Sequence, residues 1–290
     1  MNRGHLYALS AYTLWGLLPM YWQRLHAMPA TQVVAHRIVW SCFILIPIVL
    51  ISGRWSEIRS ALGDRRIVAR QLLAAVLVCA NWLGFVWAVT HDRIIESSLG
   101  YFINPLMSIL IAVAFLGERL RNVQWMAVGL AALGVVWLAI QYAAIPWVAL
   151  SLATTFCLYS VVKKATSLHP VASLSIETWV LFVPAILFLV YEHAQGRGAW
   201  LSGDTTADLL LAGSGVATTI PLLFFAAGAQ RIPLSTTGLL QYIGPTLQFL
   251  LGTLLYQEPF SAAKLVGFAM VWLALFIYAS DTLRHRVWVR

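Results

Sequence analysis

The sequence predicts an all-α integral membrane protein whose ten transmembrane helices form two inverted five-helix repeats. Composition is the first ground. The chain has 290 residues, of which 60% are hydrophobic and 10% charged, whereas a soluble domain carries about a quarter charged residues. Apolar runs of about 20 residues recur along it, and each run must satisfy its own backbone hydrogen bonds in lipid, which means helices. A transmembrane β-barrel would instead show ~10-residue segments alternating polar and apolar. Internal repetition is the second ground. One constant shift of the first half against the second lays Leu99, Ile103, Pro105, Leu110 and Glu118 on Leu239, Ile243, Pro245, Leu250 and Glu258. The distribution of Lys and Arg is the third.

The predicted helices, in order, are 4–23, 32–52, 69–90, 95–116, 121–140, 144–163, 172–192, 207–229, 233–256 and 261–281. The first carries Trp15 near mid-depth, the second His36-Arg37, and the third Asn81-Trp82. The fourth and ninth hold Pro105 and Pro245. A proline lacks an N–H and crowds the preceding turn, so a bend or break is expected at each. The fifth carries Gly129 and Gly134, and the eighth Ala212-Gly213-Ser214-Gly215 and Ala226-Ala227-Gly228-Ala229, small residues that let helices approach closely in lipid. The sixth carries Tyr159 and closes on Lys163-Lys164, and the seventh carries Glu177. The longest connections, 53–68 and 193–206, read as surface loops, so no linker separates soluble domains.

With the N-terminus cytoplasmic, Arg3, Arg54, Arg59, Arg65, Arg66, Arg70, Arg119, Arg121, Lys163, Lys164, Arg231, Arg284, Arg286 and Arg290 fall on the cytoplasmic side. Arg24, Arg37, Arg93, Arg197 and Lys264 fall on the other. This asymmetry places both termini inside and accounts for the net charge of +8 without nucleic acid. Both ends inside with ten helices gives an odd five per half, so the repeat is inverted. The repeats are 1–140 and 141–290. Paired prolines at matching places in two inverted halves point to a transporter's binding site.

The residues expected to bind a small-molecule substrate are Trp15, Asn81, Trp82, Tyr101, Asn104, Tyr159, Gln241 and Tyr242. The amides and hydroxyls at the proline segments offer hydrogen bonds, and the aromatic rings suit a small, flat, partly apolar or zwitterionic solute. His36, Arg37 and Glu177 are the expected gating or coupling residues, because ionisable groups in a membrane face the bundle interior or a cavity by default. Snorkelling toward the interface is the alternative for Arg37. Glu118 and Glu258 read as caps for the helices that follow them, and Glu96 and Arg93 as a solvated start to the fourth. Cys42, Cys79 and Cys157 match no metal or disulfide pattern. No metal, no cofactor and no catalytic motif is expected.

Gly117-Glu118-Arg119-Leu120 with Gln124-Trp125, and Gln257-Glu258-Pro259-Phe260 with Lys264, resemble the repeat signature of the EamA-type transporters of the drug/metabolite transporter superfamily. Trp15-Gly16-Leu17-Leu18-Pro19, Ala35-His36-Arg37, Asn81-Trp82, residues 99–105 and Gln241-Tyr242-Ile243-Gly244-Pro245 resemble its RarD branch. The resemblance implies a permease of the bacterial-type inner membrane. Its cavity would be formed by helices one, three, four, six, eight and nine, with five and ten as a supporting edge. It implies secondary transport, chiefly export, of small amphipathic metabolites such as amino acids or drug-like solutes by alternating access. Proton coupling stays open, as does a monomer against a weak homodimer; besides substrate, membrane lipid is the expected partner. A non-transporting membrane scaffold is the alternative.

Overall fold

Helices stand wherever the apolar runs predict them. The computed structural model describes residues 3–25, 27–90, 94–140, 147–201, 203–255 and 262–287, and contains no strand among them. The helices are α1 (Arg3–Leu17), α2 (Pro19–Trp22), α3 (Ala30–Ile51), α4 (Trp55–Gly63), α5 (Arg65–Thr90), α6 (Ile94–Leu116) and α7 (Asn122–Ile140). They continue as α8 (Trp147–Ala165), α9 (Pro170–Ala194), α10 (Thr205–Ala229), α11 (Leu234–Leu240), α12 (Ile243–Leu250) and α13 (Ala262–Val287). Six of these, α3, α5, α7, α8, α9 and α10, are long and apolar enough to cross a membrane. Shorter apolar stretches run through α6 and α13. Arg93 and Glu258 lie outside the described residues, as does the side chain of Glu96.

Three departures from the predicted pattern stand out. The first run is divided, because Pro19 cannot donate into α1 and instead takes the first position of α2, where its fixed φ suits a helix start. The 53–68 connection is not a plain loop. It contains α4, which buries Ile58 and Ala61 against Val49, Leu168 and Val171, a face too short to register as a span.

The third concerns the prolines. Pro105 does not break its helix: α6 is continuous from Ile94 to Leu116. Pro245 does sit beside a break, with α11 ending at Leu240 and α12 beginning at Ile243, and a π-helical turn over Leu251–Leu255 follows. The carbonyl that Pro105 leaves without its helical partner is that of Tyr101. Continuity through proline is common in this bundle, since Pro47, Pro184 and Pro221 also lie inside unbroken helices. The Tyr242 hydroxyl donates to the Phe102 carbonyl at 3.1 Å and ties the two proline segments together.

The packing crosses the midpoint of the chain throughout. α1 packs on α10 and α12, α3 on α9 and α10, α5 on α8 and α9, α6 on α8 and α11, and α7 on α13. Each of these pairs joins a helix of the first half to one of the second. Small residues set the separations. A Cβ on Gly215 of α10 would meet the Trp40 backbone carbon of α3 at 2.5 Å, and one on Gly134 of α7 would meet the Gly267 carbonyl oxygen of α13 at 2.9 Å. Gly129, by contrast, is exposed, with no heavy atom within 4 Å of a would-be Cβ.

Gly215→Ala is expected to cost about 1–3 kcal/mol by forcing α3 and α10 apart. Gly129→Ala is expected to be neutral or stabilising by up to ~1 kcal/mol, from helix propensity alone. Thermal unfolding of the two variants in detergent measures the contrast.

Candidate functional site

The polar centre of the bundle begins with a charge pair. Lys163, in the last turn of α8, is 0% exposed, and its Nζ lies 2.6 Å from Glu177 Oε1 on α9. The same Nζ donates to Ser173 Oγ at 2.8 Å. Tyr159 donates its hydroxyl to Glu177 Oε2 at 3.3 Å, and Gln71 of α5 bonds Ser173 and Thr166. Burying two charges is costly unless the remaining donors and acceptors are also met, and here three helices meet them. The lysine is no loop residue marking orientation. Its four-carbon stem reaches back into the bundle to serve the intramembrane carboxylate.

Next to this pair lies a cavity of about 20 Å³, lined by Ile38, Ser41, Val78, Trp82, Tyr159, Leu174, Glu177, Thr178, Leu181, Thr218, Thr219 and Leu222. That is room for about one water. Thr219 is 0% exposed and its hydroxyl has no hydrogen-bond partner. The walls come from α3, α5, α8, α9 and α10, so α3 and α9 take part where the family resemblance implied α1, α6 and α11–α12.

Arg37 stands behind two of these wall residues. Its guanidinium carbon lies 4.7 Å from the Trp22 ring centroid and 4.6 Å from that of Trp82. Its Nε donates to Thr218 Oγ1 at 2.9 Å. Cation–π contacts of this kind replace part of the hydration that the guanidinium loses. Trp22 therefore holds an intramembrane cation as well as sitting at a helix end. His36, one residue earlier, turns elsewhere and packs on Trp200 at 5.6 Å.

The structure brings several predicted residues together. Trp82, Tyr159 and Glu177 share the cavity, and Arg37 touches Trp82. Trp15 joins an aromatic cluster with Tyr12, Phe156 and Phe225, at ring separations of 5.7, 5.8 and 5.5 Å. Tyr12, which sequence reasoning passed over, is 2% exposed and its hydroxyl is unpartnered.

A second group forms where the proline segments cross. Gly238 of α11 lies against the Pro105 carbonyl, and Phe102 and Tyr242 share one apolar core with Ile109 and Leu239. Asn104 is 3% exposed with its Oδ1 unpartnered, and Gln241, beside Tyr242 in sequence, is buried. Tyr101 packs on Phe85 at 6.1 Å. Asn81 stands apart from the cavity and donates to the Leu152 carbonyl at 2.8 Å and to Thr155 Oγ1 at 2.9 Å, tying α5 to α8.

The bundle end that carries the α8–α9 turn is closed by caps between distant segments. Glu118 does not cap α7, the helix after it. Its carboxylate accepts from Leu234 N at 2.7 Å, Ser235 N at 3.1 Å and Ser235 Oγ at 2.6 Å, at the start of α11. Orphan N–H groups and the positive end of the helix dipole explain the preference. Lys164 donates to the Ile232 carbonyl at 2.7 Å, and Glu57 accepts from His169 N at 2.6 Å. His169 caps α9, its Nδ1 accepting from Val171 N at 3.3 Å. Burial, with Arg54 and Arg231 nearby, holds its imidazole below the ordinary value, against the opposing influence of Glu57.

Comparison with known proteins bears on this architecture. Residues 2–140 match the EamA-like transporter family. Protein RarD of Streptomyces exfoliatus is 44% identical over 97% of this chain and 89% of its own length. The chain belongs to the EamA-like transporter family, in its RarD branch. The uncharacterized transporter YojE of Bacillus subtilis is 44% identical over 98% of this chain and 96% of its own. A solved crystal structure shares the fold, with a TM-score of 0.72 at 18% identity, covering 95% of this chain and 96% of the other. A family member with these helices is a multi-pass membrane protein of transporter type.

Removing one member of the buried pair, by Lys163→Met or Glu177→Leu, is expected to destabilise by about 3–5 kcal/mol. The double variant is expected to lose much less than the sum, and denaturant titration of the four proteins measures the coupling. At the α9 cap, a depressed imidazole value stabilises the fold above the unfolded value of about 6.5, and that contribution is lost as pH falls below it. His169→Asn, which keeps an acceptor, is expected to flatten this step in melting temperature between pH 7 and 5.

Proposed function

We propose that this protein is a secondary transporter of the inner membrane that moves small amphipathic metabolites by alternating access, chiefly outward. The observation that carries the reading is the enclosed cavity between an ion pair and an intramembrane arginine, with an unpartnered Thr219 hydroxyl in its wall. Ionisable groups kept inside a membrane bundle and grouped around one polar spot mark a solute or ion pathway by default. Asn104, Gln241, Tyr101, Tyr242, Trp15, Trp82 and Tyr159 form the remaining solute surface in this reading, with Asn81 holding α5 on α8. His36, Arg37 and Glu177 are the gating or coupling residues in this reading.

The packing supports ten spans in two inverted halves, 1–140 and 141–290. Exchanging each helix for its counterpart in the other half turns α1–α10 into α8–α5, and α3–α10 into α9–α5. It also turns α6–α8 into α11–α12 against α1, while α3–α9, α6–α11 and α7–α13 map onto themselves. All of these contacts are present. Such closure is what a two-fold relation between halves requires, and it favours two states of similar energy open to opposite faces. The Lys and Arg distribution favours both termini in the cytoplasm. The transporter character of the relatives fits a protein that performs no covalent chemistry.

Flux of labelled amino acids and drug-like solutes from proteoliposomes tests the proposal. A solute carried by the parent protein is expected to move about tenfold more slowly through Asn104→Ala or Gln241→Ala, the effect of one lost ligand hydrogen bond. Both variants should keep the parent's melting temperature within a few degrees. Parent-like flux in both variants would remove the proline crossing from the site. Absence of flux for the whole panel, with no reagent access to Cys79, would favour a scaffold.

A further inference from the structure

Arg37 is a cation without an anion. The guanidinium carries five N–H donors, and Nε uses one on Thr218. No hydrogen bond from the Nη donors is found among the described residues, no carboxylate there pairs with this arginine, and the group that interacts with it electrostatically is the neutral Tyr101 phenol. Glu177, the carboxylate on the cavity wall, is already committed to Lys163. The two indoles offer π faces and no acceptor atoms, so they hold the plane without satisfying its edge.

The position is also informative. Val49 of α3 packs with Leu168 and Val171 beside the start of α9, so the C-terminal end of α3 and the start of α9 share one end of the bundle. At about 1.5 Å per residue, Glu177 lies roughly 10 Å from that end and Arg37 roughly 20 Å. Trp82 and Thr218, which hold Arg37, are themselves cavity wall. An excess positive charge thus stands behind one end of the cavity, and a neutralised pair stands at the other.

We propose that Arg37 is the anchor for the carboxylate of the transported solute, oriented for it by Trp22, Trp82 and Thr218 at the rim of the central cavity. The proposal rests on the transporter reading and names its substrate class: small amphipathic monocarboxylates. A guanidinium presents paired donors that match a carboxylate bidentately. One unpaired cation balances one negative charge. A phosphate dianion would bring a second into a medium where an uncompensated charge is costly. The rings of Trp15, Phe156, Phe225 and Tyr159 would take the apolar remainder of the solute. The carboxylate has two chemical sources, a simple organic acid or the zwitterion of an amino acid.

A matched probe series separates these outcomes on the purified full chain. The probes are phenylacetate, L-phenylalanine, phenethylamine and phenylacetamide, tested by thermal shift and by proteoliposome flux. The expected result is stabilisation by roughly a few degrees at saturating carboxylate, and none from the amine or amide. Arg37→Gln is expected to weaken carboxylate binding at least about tenfold, and Arg37→Lys, which keeps the charge and loses the fork, by less. Ligand-free melting of both variants shows whether each folds, and Arg37→Lys carries the comparison if Arg37→Gln does not. Response to phenylacetate alone identifies organic acids, and response to both carboxylates admits zwitterions. The proposal is overturned if neither carboxylate stabilises the parent. It is equally overturned if the amide or amine does so as well, or if Arg37→Gln keeps the preference. Arg37-independent flux of the amine or amide would sink the anchor and leave transport standing. Carboxylate binding without flux of any probe would do the reverse.

Discussion

A lipid bilayer supplies no water to a polar group, and the arrangement of this bundle follows from that constraint. Every helix irregularity or buried charge has to be answered by another helix. The Phe102 carbonyl is answered by Tyr242, Glu177 by Lys163, and the Leu152 and Ile232 carbonyls by Asn81 and Lys164. Most of these partners lie far apart in sequence, so the polar bonds, like the small-residue contacts, tie together segments that are distant along the chain. Apolar surface alone could not select those pairs, because lipid tails satisfy it equally well.

The two proline segments show how the same local chemistry reaches different ends. Laid over one another they are near copies, yet α6 runs through Pro105 and the chain breaks between α11 and α12. The Tyr242 hydroxyl, beside the break, reaches across to the Phe102 carbonyl of the unbroken copy, so the two segments are tied to one another where they cross.

Hydropathy made the spans legible, because a run of apolar residues long enough to cross a membrane has one regular conformation available to it. It did not reveal α4, whose buried face of Ile58 and Ala61 matters only once α9 is beside it. Whether Pro105 would break α6 was equally unreadable, since proline chemistry allows a bend or a break and the two near copies take different outcomes. Glu118 looked like a cap, and is one, but proximity in sequence suggested the wrong helix. Lys163 looked like a topological charge at a helix end. Its signal was indirect: an intramembrane carboxylate at position 177 needs a cation, and Lys163 was the long side chain within reach. Trp15, Trp82 and Tyr159 were recognisable as interior aromatics from their depth. Their division between an aromatic cluster and a cavity wall arises from tertiary packing alone.

The crossing of the chain midpoint by the principal helix contacts has a consequence for how the protein is made. As synthesis proceeds, α1 to α7 enter the membrane before any of their principal packing partners exist. During that interval Trp40 faces no Gly215, Asn81 has no α8 carbonyl, and Glu118 has no α11 to cap. In that interval the early helices meet one another only through lesser contacts, such as α3–α5, α5–α6 and α6–α7, while each carries its own backbone hydrogen bonds. The principal interfaces wait for α8 onward and close by interleaving, so neither half is finished before the other arrives.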